Sequence, residues 1–387
     1  MTEFQYVGYA QEIIFGAGSL ARLSEAVDGF HWQRVMLCAS SSARRSGRIS
    51  AIETALGDRL AAIYDHAQAH VPDFQVAEAA ALAVECQIDA VIGLGGGSPI
   101  GLAKAVSQAV EEKRRGQPAR SAFPTDQPLI PIISIPTTYA GSEMTPIYGI
   151  THHADGSSRK ITVTDPKVTP KLVIYDPRLT LDLPPEVTAS SGINALAHCV
   201  EAAYSITRHP LSTAAALSGA QHIAHALPRC YRASNDEDAR TEMLIGAHLA
   251  AVAQSSVTMG LHHGLCHALG GTAGVPHGIA NAIVLPHAIR FNATVAAPQL
   301  AQLAEAIGLP ITNRATEAAE AAAQQIDDLI KQLNLPQQLR DVGVDRNDLP
   351  QIAQVALQSR AVQNNPRPIR DAAQGAAQIE ALLEAMW

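Results

Sequence analysis

The chain is poor in the features that most quickly assign a protein to a class. Its five cysteines, Cys38, Cys86, Cys199, Cys230 and Cys266, are scattered, odd in number and form no C-x-x-C. That argues against a disulfide framework and for reduced thiols in a cytosolic protein. No stretch approaches about 20 uncharged apolar residues, and the N-terminus has no apolar h-region. A soluble, cytoplasmic protein is therefore expected, with no membrane span. Positive charge is also short: the formal net charge is −8, which argues against a nucleic-acid partner. The few basic clusters are short, and one of them, Lys113-Arg114-Arg115, is expected in a solvated loop. Aromatics are only 4% of the residues while alanine is abundant, a balance that favours close-packed helices.

A length of 387 residues is enough for two domains with real cores. Short strands are expected at Phe4 to Val7, Glu12 to Phe15, Arg34 to Cys38, Ala61 to Tyr64, Ala90 to Leu94, Leu129 to Ile135 and Lys171 to Tyr175. Alanine-rich helical segments separate most of them, which predicts a parallel sheet covered on both faces. Residues Glu111 to Gln127 read as an exposed loop. Residues Ile147 to Thr164 read as a hairpin with its tip near Asp155-Gly156-Ser157. After about residue 180 strand signals vanish and helical periodicity runs almost to Trp387. The domains expected are thus 1–180, α/β, and 181–387, all-helical.

Three stretches carry chemistry. In AVIGLGGGS, ending at Ser98, an apolar strand runs into Gly95, Gly96 and Gly97 and then into a helix. Glycines let backbone approach a phosphate closely, and the helix start offers free N–H groups and a positive dipole end. Diphosphate binding is favoured over a plain turn, although this is not the spaced G-x-G-x-x-G fingerprint. In IPTTYAGSEMT, the hydroxyls of Thr137, Thr138 and Ser142 follow a buried strand, where open α/β sheets place ligands. Capping would use the same residues. In LHHGLCHALGGTAGVPH, His263 and His267 are four apart and share one helix face, and His277 follows a Gly-Gly turn and a proline. Upstream, SGINALAHCVEA places Asn194 and His198 four apart on a second helix. Two such pairs facing each other would build a polar site. His262 points about 100° away from His263 on the same helix, so a direct role and a packing role stay open. Cys199 and Cys266 read as packing residues.

After the Arg34 to Cys38 strand come Ser40, Ser41, Ser42, Arg44 and Arg45, with no acidic residue to take a ribose 2′-hydroxyl. Both NADH and NADPH are expected to work. If the arginines point to solvent, NADH is preferred.

On GLGGGS at 93–98, PTTYAGSE at 136–143, DPRLT at 176–180, SGINALAHCVEA at 191–202 and HHGLCH with PHGIANAIVLPH at 262–287, the chain resembles the iron-containing alcohol dehydrogenase superfamily. Within it, IPTTYAGSEMTPIYGIT, GLAKA and GLHHGLCHALGG are similar to the maleylacetate reductase branch. The resemblance implies a nucleotide-binding α/β domain, an all-helical domain and an active site in the cleft between them. It implies NADH or NADPH as cofactor, bound by Gly95, Gly96, Gly97, Ser98, Thr137, Thr138, Ser142, Ser40, Lys160 and Leu179. It implies a site of Asn194, His198, His263, His267 and His277, a small dicarboxylate substrate, and a homodimer. The activity implied is reduction of a carbon–carbon double bond in aromatic degradation, the alternative being a metal-dependent alcohol or aldehyde dehydrogenase. Lys160, Arg178 and Arg290 are weaker candidates for carboxylate contacts.

Two departures qualify the match. Metal-dependent relatives use an Asp and three His as ligands, and here Asn194 stands where the Asp would be. A cation held by three imidazoles and an amide lacks charge compensation, so metal is expected to be absent, although three His can hold zinc. Gly101 likewise replaces an Asp of the alcohol dehydrogenases. In contrast, Gly264 and His277-Gly-Ile-Ala-Asn resemble the metal-dependent members.

Overall fold

The computed structural model describes residue 4 and residues 6–116, 126, 128–154, 157–312, 314–369 and 372–387, excluding the side chains at 153–154, 157–160 and 372–373. Residues 6–183 and 184–387 form two compact units.

The first unit is built on a six-stranded parallel sheet. Its strands are β1 (Glu12–Phe15), β2 (Val35–Ala39), β3 (Leu60–Tyr64), β4 (Ala90–Gly95), β5 (Ile132–Pro136) and β8 (Leu172–Tyr175), in the order β1-β8-β5-β4-β2-β3. Helices α1 (Leu23–Gly29), α2 (Ser41–Arg45), α3 (Arg48–Leu56), α4 (Asp73–Glu85) and α5 (Gly97–Arg115) lie between them. Strands β2, β4 and β5 are buried on both faces, which is why they read as continuous apolar runs. Alternate residues feed two cores: Met36, Cys38, Val91 and Ile132 on one side, Leu37, Ala39, Ile92 and Ile133 on the other. A separate hairpin pairs β6 (Ile147–Ala154) with β7 (Ser157–Thr164). The expected tip residues Asp155 and Gly156 lie outside the described residues.

Strand order reverses beside β4. From β2 the chain moves outward to β3, then crosses back to β4 and on to β5 and β8. The carboxyl ends of β2 and β4 therefore flank the switch point at which doubly wound sheets bind ligands.

Two expectations are corrected. Residues 4, 6 and 7 form no strand, because no ladder partner exists for them among the described residues; Phe4 instead stacks on His209, ring centroids 5.1 Å apart. Helix α5 continues through Lys113, Arg114 and Arg115 to a left-handed Gly116, so the expected loop begins later. Glu111 is buried there because its carboxylate takes Lys167 Nζ at 2.9 Å and Leu129 N at 3.2 Å. The basic cluster sits in the last turn, where cations suit the helix dipole.

The second unit comprises α6 (Pro185–Tyr204), α7 (Pro210–Arg232), α8 (Glu237–Ser255), α9 (Leu261–Ala273), α10 (His277–Ala306), α11 (Ala315–Gln332), α12 (Leu349–Leu357), α13 (Arg360–Gln363) and α14 (Ala372–Met386). Helix α6 is buried on all sides from Gly192 to Tyr204, as a central helix must be. Glycines set the close approaches to it and to α9. A β-carbon on Gly278 would lie 2.8 Å from Ser190 Cβ and 3.1 Å from its carbonyl oxygen; one on Gly264 would lie 2.4 Å from Val362 Cγ2. Gly278 thus brings the start of α10, and His277 with it, onto α6. Among the described residues, no helix is long and apolar enough to cross a membrane.

Candidate active site

Two sets of residues are assembled, one in each unit. In the first, β4 ends at Gly95, whose φ of +140° suits only glycine; a β-carbon there would lie 2.9 Å from Pro99 Cγ. Gly96 caps the 19-residue α5 with no side-chain bond to its first N–H groups. Those groups and the dipole end are what a diphosphate requires. A β-carbon on Gly96 would come within 3.1 Å of Thr138 Oγ1. The glycine turn and the threonine loop therefore touch, and Thr137 N donates to Gly95 O at 3.0 Å. Gly97 is exposed, and Ser98 and Thr138 are half-buried. Where the alcohol dehydrogenases carry an Asp, buried Gly101 lies against Val71, which itself holds a left-handed φ of +49°.

A residue missed in the sequence organises this loop. Lys104, two turns into α5, is fully buried, and Nζ donates to the carbonyls of Ser142, Thr145 and Ile147 at 2.6, 2.7 and 2.9 Å. Three acceptors match the three donors of an ammonium. Burial pushes the Lys104 amine down to about 7, against the pull of Glu143. Glu143 is buried too and accepts from Tyr175 Oη at 2.9 Å. Burial raises its carboxyl above the ordinary range. The sequence signal was a lysine inside GLAKA, in a helix otherwise packed with apolar residues.

The remaining cofactor candidates are less converged. Ser40 follows β2, and its Oγ lies 2.7 Å from Ser42 Oγ. Leu179 is half-buried in a turn after β8 and its carbonyl accepts from Arg48. Lys160 lies on β7 with its backbone paired to Thr151, and its side chain is outside the described residues, as is that of His153. Arg290 is engaged by Glu320 at 2.8 Å and Asp327 at 3.7 Å, so it is not a free carboxylate contact.

In the helical unit the expected histidines come together. His198 stacks on His263 with ring centroids 4.9 Å apart; His263 and His277 are 6.1 Å apart; His277 and His267 are 5.6 Å apart. Asn194, buried, stands one turn before His198 on α6. His198 and His263 are buried, while His267 is exposed and His277 half-buried. Burial and the neighbouring imidazoles of His263 and His262 hold His198 well below the usual histidine range, so it is neutral at physiological pH.

Glu201, also missed in the sequence, holds this array. It sits one turn after His198, fully buried, and serves as the N-terminal cap that α9 lacks. Its carboxylate accepts from the backbone N–H of Gly260, His262 and His263 at 3.2, 2.9 and 3.4 Å, and from His263 Nδ1 at 2.7 Å. Burial alone would raise its carboxyl, but the bond from His263, the charges of His263 and His262 and the Gly260 N–H outweigh burial and hold it below the ordinary value. An ionised carboxylate cannot donate, so the proton of that bond belongs to His263 Nδ1. His263 Nε2, buried and without a hydrogen-bond partner, is then the atom available for chemistry.

His262 lies behind His263, its Nδ1 3.2 Å from His263 Nδ1. Its Nε2 lies 3.3 Å from the carbonyl of Asn281 on α10 and 3.8 Å from Cys266 Sγ. Burial, with the neighbouring His263, brings it down to about 3. Its contacts are those of a neutral residue joining α9 to α10. Cys199 and Cys266 are buried, and burial pushes both thiols up, which fits packing rather than nucleophilic roles.

The donor chemistry tests the metal that the resemblance raises. Among the described residues, one acid–histidine trio has its ligand atoms within 4.8 Å of one another: Glu201, His262 and His263. Those atoms already bond each other and the α9 backbone, so this trio is a closed network. The alternative set, Asn194, His198, His263 and His277, offers no anion. A desolvated divalent ion there would lack charge compensation, and iron fits these donors poorly.

Comparison with known proteins follows the same division. A profile described as iron-containing alcohol dehydrogenase matches residues 10–177, and one described as the C-terminal part of the Fe-containing alcohol dehydrogenase family matches residues 188–387. Maleylacetate reductase 1 of Cupriavidus pinatubonensis is 34% identical over 95% of this chain and 94% of its own. Maleylacetate reductase of Pseudomonas knackmussii is 38% identical over 93% and 92%. The crystal structure of maleylacetate reductase from Agrobacterium tumefaciens superposes with a TM-score of 0.84 at 33% identity, covering 100% of this chain and 99% of that one.

Proposed function

The chain belongs to the iron-containing alcohol dehydrogenase family, and we propose that it reduces the carbon–carbon double bond of maleylacetate, giving 3-oxoadipate, with NADH or NADPH. The observation that carries this reading is the match to maleylacetate reductases along nearly the whole chain. The residues support it. Gly95, Gly96, Gly97, Ser98, Thr137, Thr138 and Ser142 hold the cofactor's diphosphate region, and bound reduced nicotinamide supplies the hydride. Hydride added β to the ketone leaves an enolate, whose oxygen needs a donor where its charge develops. His267 and His277 provide donors, His263 does so as imidazolium through Nε2, and one of the three returns a proton to carbon. Asn194 places no negative charge in the array, which suits a dianionic substrate.

This reaction requires no Lewis acid, and none is assigned. The enzyme is proposed to act as a cytoplasmic homodimer. The deciding experiment is oxidation of NADH with freshly generated maleylacetate, before and after exhaustive chelation, alongside metal analysis. Turnover that survives in metal-free protein supports the reading. Turnover that dies on chelation and returns with zinc or iron overturns metal independence; no turnover overturns the substrate.

A further inference from the structure

Ser40 lies at the switch point of the sheet. Ala39, the last residue of β2, is in register with Leu94 of β4, one residue before the glycine turn. In doubly wound sheets the end of the strand beside the glycine turn meets the adenosine ribose, and an acid there selects the 2′-hydroxyl. This chain has three serines followed by Arg44 and Arg45. The acid comes instead from the neighbouring strand: Asp65 directly follows β3, whose Tyr64 is in register with Cys38 of β2. Asp65 forms an ion pair with Arg44 Nε. The Arg44 side chain is 52% exposed and that of Asp65 27%, so the pair is open to a ligand. Arg45 is turned to Ser41 Oγ at 3.2 Å, and Asp65 also lies 3.5 Å from His66 Nδ1.

We propose that Asp65 and Arg44 together set the choice between NADH and NADPH. The guanidinium is the receptor for a 2′-phosphate, and Asp65 competes for it with its own carboxylate. A phosphate that displaces Asp65 gains a charge-assisted bond to Arg44 but leaves a carboxylate beside it, which repels it. A 2′-hydroxyl meets neither effect. The pair thus permits both cofactors while weighting against the phosphorylated one.

This inference rests on the nicotinamide reading but not on the substrate, so it is tested by binding alone. NADH and NADPH are titrated by fluorescence into wild type, Asp65→Asn, Arg44→Gln and the double variant. Arg44 is exposed and Asp65 half-buried, so neither change opens the core. Asp65→Asn should tighten NADPH about five- to tenfold and change NADH less than twofold, the scale of an exposed charge-assisted contact. Arg44→Gln should weaken NADPH by a similar factor and abolish the gain in the double variant. An unchanged NADPH-to-NADH ratio in both single variants would overturn the proposal. Wild type that binds neither nucleotide would overturn the cofactor reading as well.

Discussion

Glu201→Gln is the sharpest test of the histidine array. The substitution keeps shape, removes the charge and turns one acceptor oxygen into a donor. Wild-type Glu201 accepts four hydrogen bonds while fully buried. If the amide oxygen stays on His263 Nδ1, the amide nitrogen faces the His262 N–H, donor to donor. If it flips, the nitrogen faces His263 Nδ1, and the imidazole must shift its proton to Nε2. At least one buried backbone donor is then unsatisfied, that of His262 in the first case and those of Gly260 and His263 in the second, about 1–3 kcal/mol, and the remaining bonds lose charge assistance, about 1 kcal/mol more. The variant should be destabilised by about 2–4 kcal/mol, read as a lower urea midpoint. Misplacing the tautomer of His263 should cut kcat by roughly 10–100-fold, while the Kd for NADH, proposed to be set by the glycine turn and threonine loop, stays unchanged. A variant with the wild-type urea midpoint and wild-type kcat would refute the assignment.

Three further outcomes follow from the same geometry. Gly264→Ala drives a β-carbon to 2.4 Å from Val362 Cγ2, so overpacking should cost about 1–3 kcal/mol; an unchanged melting temperature would contradict the tight α9–α13 contact. Asn194→Asp restores an anionic donor beside three histidines and should raise zinc or iron retained after dialysis at least tenfold while lowering maleylacetate turnover; metal content equal to wild type would sink the charge argument. Lys104 has its folded-state value lowered from 10.5 to about 7. Between those limits the unfolded chain binds more protons, so wild-type stability rises with pH there and is lost as pH falls towards 7. Comparison of urea midpoints with Lys104→Met should show the gap moving in favour of wild type by up to about 5 kcal/mol from pH 7 to 10.5, and a flat difference would refute it.

Much of this was legible in the sequence because it is written locally. The apolar runs at β2, β4 and β5 read as strands buried on both faces, and three glycines from the end of β4 onward exceed what a turn requires. Spacing put His263 with His267 on one helix and Asn194 with His198 on another, and the rings of His198 and His263 stack. What could not be read was long-range. Glu201 looked like one more residue of a helix, because the N–H groups it caps lie about 60 residues downstream, from Gly260 to His263. The role of His262 was open because helical direction says only where it does not point; the carbonyl of Asn281 decides it. Glu111 read as part of a loop because its partner, Lys167, is 56 residues away. Asp65, too, gained meaning only when β3 was laid beside β2.

The charge balance of the histidine array ties these observations together. One buried carboxylate, Glu201, is held ionised behind His263, facing backbone N–H groups rather than the space beside His198 and His277. His198 stays neutral in the free enzyme because burial and its imidazole neighbours oppose protonation. A dianionic substrate would reverse that opposition, since its charge favours imidazolium over imidazole. An aspartate at 194 would supply a negative charge permanently and attract a cation instead. The neutral amide at Asn194 places no such charge there, which leaves the array's cationic capacity to a dianionic substrate and the developing enolate.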